Sequence, residues 1–186
     1  MSEKELVYGS GAAGLTFMPL RAAQENVAVL RTLANAKTWG EVRLGMPTKA
    51  YYERYLANSM HYKGPSRPAD GQDLTPFYIA DETPFTPNDV FWYDDWTCFP
   101  SHAEIDMSVW MPKEIQEKYG KTRKYYSCGG NPVPPGNILD LDDDRVDEIV
   151  ADLEVAGFVC REDDDLISNA TTFDIDLDDY PDRDDE

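Results

Sequence analysis

Apolar residues recur along this chain with two different periods, and the changes of period divide it into elements. After Pro19, the residues Ala23, Val27, Leu30 and Ala34 fall at helical spacing, Leu20 and Leu33 widen the stripe, and Arg21, Glu25, Thr32 and Asn35 take the other side. That pattern predicts an amphipathic helix over residues 20 to 36. Thr38 is placed to cap a short helix through Met46. Pro47 and Thr48 open another through about Met60, with Tyr51, Tyr55 and Leu56 as its apolar face. Residues 4 to 8 read as a short strand ahead of a glycine-rich turn over residues 9 to 14. The N-terminal region, residues 1 to 61, is therefore expected to be mainly helical.

Residues 62 to 76 carry glycine, proline and aspartate without apolar periodicity and read as an exposed connection; residues 77 to 80 read as a strand. Between Phe85 and Phe99 aromatics cluster, with Phe91, Trp92, Tyr93 and Trp96 interleaved with Asp89, Asp94 and Asp95. Such a segment serves either as a core anchor or as an exposed aromatic and acidic binding loop.

From Ala103 the period becomes two. Ala103, Ile105, Met107 and Val109 alternate with Glu104, Asp106 and Ser108, as in a half-buried strand. Pro112 and Gly120 bracket a two-turn helix, residues 121 to 128 follow as a strand, 129 to 136 as an irregular loop and 137 to 141 as another strand. Val146, Ile149, Val150 and Leu153 then recur at i, i+3, i+4 and i+7 behind Asp142 or Asp143 as the cap, Gly157 stops the helix, and residues 158 to 160 return as a strand. Strand, helix, strand, strand, helix, strand is the order of ferredoxin-like folds, whose right-handed crossovers set both helices on one face. The expected architecture is α+β: a helical N-terminal third packed on a ferredoxin-like sheet within residues 77 to 170, where residues 163 to 170 add one helical turn. Residues 171 to 186, half acidic with Ile175 and Leu177 as the only aliphatics, form a tail too polar to order itself.

Composition supports a globular chain. With 186 residues, 41% of them apolar, a core forms without metals or disulfides. No stretch approaches the ~20 apolar residues of a membrane span, and no cationic segment precedes an apolar one at the start, so a soluble cytoplasmic protein without membrane contact is expected. Cys98, Cys128 and Cys160 are odd in number and far apart, which suits buried thiols better than a disulfide framework or a cysteine-rich zinc site. No cofactor is expected.

Charge changes the picture most. The net charge is −19, and residues 140 to 186 hold 20 acidic side chains against three arginines, Arg145, Arg161 and Arg183. A one-sign block repels nucleic acid and anionic membrane and attracts basic surfaces, whereas a merely solubilising surface mixes its signs. The acid runs from a helix (Asp143, Asp144, Asp147, Glu148, Asp152) into Glu162, Asp163, Asp164 and Asp165 and on into the tail. The expectation is a non-enzymatic binding protein that covers the basic surface of a nuclease or other nucleic-acid-handling protein, with Trp92 and Trp96 as apolar anchors. Inhibitors of the immunity-protein type and of the phage anti-defence type both fit; acidity for solubility alone is the plainer alternative.

Other motifs are incomplete. Gly9, Gly11 and Gly14 match the glycine spacing of dinucleotide-binding turns, but Pro19 interrupts the helix that must follow, and no acidic residue closes a second strand. Two Asp-x-Asp-x-Asp runs, from Asp140 and from Asp174, lack the sixth-position glycine and the final glutamate of a calcium loop. His102-Ala-Glu104 resembles the H-x-E half of the zinc-dependent nucleobase deaminases; their P-C-x-x-C half is missing, since Cys128 lies in Ser-Cys-Gly-Gly. Cys98 lies four residues before His102 with Pro100 between them. The rival expectation is accordingly a small enzyme, zinc-dependent or not, using Cys98, His102 and Glu104.

Overall fold

Leu6 and Val7 are neighbours and both are buried, which a strand achieves when each face of its sheet is covered. The computed structural model describes residues 4–11, 14–90, 111–119, 121–122, 139–140 and 143–172. Its strands are β1 (Glu5–Gly11), β2 (Gly14–Pro19), β3 (Lys121–Thr122), β4 (Leu139–Asp140) and β5 (Val159–Glu162). Its helices are α1 (Leu20–Asn35), α2 (Trp39–Gly45), α3 (Lys49–Ala57), α4 (Lys113–Tyr119), α5 (Val146–Val155) and α6 (Asp164–Thr171). The result is a mixed α and β protein with a small three-stranded sheet, and its described residues fall into two compact units.

Unit one comprises described residues 4–27 and 111–172. Its sheet has the order β2-β1-β5, with β2 antiparallel to β1 and β5 parallel to it. One face carries Leu6, Tyr8, Leu15, Phe17 and Cys160 against Ile115 and Tyr119 of α4 and Ile149 and Leu153 of α5. The rings of Tyr8 and Phe17, cross-strand partners, stack with centroids 5.0 Å apart. The other face carries Val7 and Met18 against Ala23 of α1 and Ile167 and Ala170 of α6. β3 and β4 pair in a separate two-stranded ladder.

Unit two comprises described residues 28–90. Thr38 and Thr48 accept from the amides of Glu41 and Tyr51 and so cap α2 and α3. The segment after α3 folds back so that the carbonyls of Asp81, Thr83 and Lys37 receive the amides of Gly40, Trp39 and Phe85. Arg43 fixes that return with two bonds to Asp81, at 2.9 and 3.1 Å. The Trp39 indole, fully buried, is the centre of the unit's aromatic packing.

Four expectations differ from this arrangement. The ferredoxin-like order is not seen among the described residues: the strand after α5 pairs with β1 from the start of the chain, because β1 is apolar on both faces and takes the central position. α4 and α5 do share one face. The N-terminal third holds three helices, but two strands precede them. Of the residues read as a glycine-rich turn, 9 to 11 and 14 are strand, with Gly9 opposite Thr16 and Gly11 opposite Gly14. Residues 77 to 80 are not a strand; Thr75–Phe77 is a single 3-10 turn. The strand expected at residues 103 to 109 lies outside the described residues, as does the tail from residue 173.

Candidate acidic docking face

Helix geometry decides which carboxylates of unit one have work inside the fold. Asp163 caps α6 by accepting from the Leu166 amide at 2.9 Å, and its other oxygen accepts from Arg161 at 3.2 Å. Asp164 accepts from the Ser10 amide of β1 at 2.8 Å, tying the helix start to the sheet. Asp165 follows in the same first turn, where the helix dipole favours negative charge. The acidic run from Asp163 to Asp165 is therefore first a helix N-terminus.

Asp152 is equally occupied. Its Oδ2 accepts from Lys118 Nζ at 2.7 Å and from the Tyr119 hydroxyl at 2.5 Å, bridging α4 and α5. Those two donors, Lys118 first, hold its carboxyl below the ordinary range, and Asp152, with Tyr119 adding to it, raises the Lys118 ammonium above its own. Glu148 receives Arg145 at 3.1 Å, and the Arg145 guanidinium lies 4.6 Å from the Tyr119 ring centre.

Asp144, Asp147, Glu154, Glu162 and Asp165 are exposed, and no cation among the described residues pairs with them. Asp147 and Glu154, seven residues apart, lie on one side of α5. Burial holds the Tyr8 hydroxyl above its usual range, and Glu162, the Cys160 thiol, Asp147 and Glu154 add to the effect in that order. Glu162 lies opposite Tyr8 in the β1–β5 pair, on the sheet face that α5 covers. Glu154 is placed against its own helix: it sits near the C-terminus of α5, where the dipole disfavours an anion, and that last turn has no basic residue.

The same field reaches Cys160. Burial, with Glu154 adding to it, pushes its thiol up to about 11. Alkylation of Cys160 by N-ethylmaleimide at pH 8 is expected to run about a hundredfold slower than in the unfolded chain, since the thiolate is the reacting species. Mass spectrometry of the peptide containing it reads the rate, and Glu154→Gln should raise it; equal rates in folded and unfolded protein would contradict the placement.

Of the residues read from sequence as partner-binding, Asp144, Asp147 and Asp165 stand exposed without a partner, whereas Glu148, Asp152, Asp163 and Asp164 have intramolecular bonds. Trp92, Trp96 and the side chain of Asp143 lie outside the described residues, as do Cys98, His102, Glu104 and Cys128 of the rival enzyme. Among the described residues no group of three or more His, Cys, Asp or Glu is placed to hold a metal ion. None of their helices is long and apolar enough to cross a membrane.

Glu162 belongs to the acidic run read from sequence, whereas Glu154 was not singled out; the signal available was a glutamate in a last turn that ends at Gly157 without a lysine or arginine. Sequence also left His61 unassigned. In unit two its Nε2 lies 3.1 Å from Oδ1 of the fully buried Asp89, whose other oxygen accepts from the Thr86 amide at 2.8 Å. Comparison with known proteins finds no match: no family model fits the chain, and no curated protein or solved structure resembles it significantly.

Proposed function

We propose that this chain is a non-enzymatic binding protein that docks its acidic C-terminal half on the basic surface of a nucleic-acid-handling protein, such as a nuclease, and blocks it. The observation that supports this reading is the set Asp147, Glu154 and Glu162, exposed and without a cation partner among the described residues, with Glu154 held against its helix dipole. Helix capping accounts for Asp163 and Asp164, and the first turn of α5 favours Asp147; neither accounts for Glu154 and Glu162. A cationic partner relieves their mutual repulsion, and the attraction speeds encounter more than it tightens the final complex.

A basic probe tests this. Core histones bound to fluorescent duplex DNA should release the duplex when the protein is added at ~50 mM salt, and much less so at ~200 mM, because the exchanged contacts are ionic. Asp147→Asn/Glu154→Gln/Glu162→Gln should lower the rate of release about tenfold. The control Asp70→Asn/Glu82→Gln/Glu114→Gln removes the same charge from other exposed sites and should change the rate less than twofold. Equal effects of the two triple variants would make the acidity general, and no release at low salt would refute docking.

A further inference from the structure

Among the described residues β5 is bonded on one side. The amides of Val159 and Asp163 donate to the carbonyls of Lys4 and Tyr8 at 2.9 Å each, which directs the backbone of residues 159, 161 and 163 toward β1. Strand alternation then turns the N–H and C=O groups of Cys160 and Glu162 outward. Exposure agrees: Arg161 and Glu162 are exposed, Val159 is 65% exposed and Val155, at the end of α5 before the Gly157 turn, is 89% exposed. By alternation Val159 and Arg161 turn to one face of this edge and Cys160 and Glu162 to the other, the face on which α5 carries Glu154 and Val155.

Folded proteins usually protect such an edge with charge, bulges or a covering element. Here Arg161 is paired with Asp163, and the charge left over is anionic and selects what is able to approach. A second copy of the same edge would set Glu154 and Glu162 against their own kind in a chain of net charge −19. A strand carrying lysine or arginine on one side and aliphatic residues on the other meets carboxylates and valines together.

We propose that β5 is a docking edge that accepts an extended basic segment of the partner as an added strand. Cys160 and Glu162 supply the backbone bonds, Val159 and Val155 the apolar contact, and Glu154 and Glu162 the charge. This inference rests on the acidic-docking reading above and gives it a geometry.

The test uses the full-length, ¹⁵N-labelled protein with the peptide acetyl-Lys-Val-Lys-Val-Lys-Val-amide, and its glutamate counterpart as control. With the basic peptide, amide hydrogen exchange at Cys160 and Glu162 should slow by about tenfold or more, while Val159 and Arg161, already facing β1, change little. Glu162→Pro removes an outward donor at an edge position that tolerates proline, and should weaken peptide binding well beyond Glu162→Gln, which removes the charge alone. Peptide binding that is salt-sensitive but leaves Cys160 and Glu162 exchanging freely, with Glu162→Pro no worse than Glu162→Gln, overturns the added strand and leaves acidic docking intact. No binding at low salt overturns both. Slowed exchange at these two amides without peptide, growing with protein concentration, assigns the edge to a second copy and overturns the basic partner.

Discussion

Replacing Trp39 with alanine is expected to cost unit two about 4 kcal/mol, the upper range for truncating a large buried side chain. The indole has no exposed surface and meets Tyr52, His61 and Phe85 edge to face, with centroids 6.3, 6.3 and 5.2 Å away. No acceptor among the described residues receives its ring N–H, so the loss is one of packing. Trp39→Phe, which keeps an aromatic edge and forfeits no hydrogen bond, should cost about half as much. Urea titration followed by circular dichroism reads the difference. At a slope of about 2 kcal/mol per molar, the alanine variant's midpoint falls by about 2 M. A shift below about half a molar would mean that Trp39 is not the centre of this unit.

Gly9→Ala should destabilise unit one by about 3 kcal/mol, because the added carbon meets backbone that cannot rotate away. A Cβ at Gly9 would lie 2.7 Å from Asp164 Oδ1, 2.9 Å from its Cα and 3.1 Å from its N. α6 would have to retreat from β1, losing the bond from Ser10 to Asp164 and part of the contact of Ile167 and Ala170 with Val7. In a chain of this length the melting temperature should fall by about 10 °C. Gly71→Ala is the control: its φ is +74° and nothing lies within 4 Å, so only the strain of a left-handed residue is felt, about 1 kcal/mol. If the two alanine variants melt together, α6 does not press on the strand.

Local signals carried the helices. The stripe from Leu20 placed α1, the threonines at 38 and 48 placed the starts of α2 and α3, and the recurrence of Val146, Ile149, Val150 and Leu153 placed α5. These are contacts between near neighbours, and near neighbours are what a sequence displays. β2 went unseen because its partner, with Gly9 inside the strand and Gly11 at its end, looks like a turn. The glycines are there for α6, a helix whose presence is written in residues 163 to 171. β5 was placed near its observed position but given the wrong neighbour, since nothing local to it points to Glu5–Tyr8. The candidate site was legible as an excess of acid and illegible in its detail: composition does not tell a carboxylate that caps a helix from one left facing solvent.

The sheet of unit one draws its middle strand from the first dozen residues and an outer strand from the far side of an intervening unit. During synthesis the hairpin of β1 and β2 leaves the ribosome early, with apolar side chains on both faces and nothing yet made to cover them. Residues 28 to 90 have their internal contacts available long before β5 exists. The natural order of assembly is therefore inside out along the gene: the interrupting segment settles first, and the nascent N-terminal hairpin waits for α5, β5 and α6 to close over it.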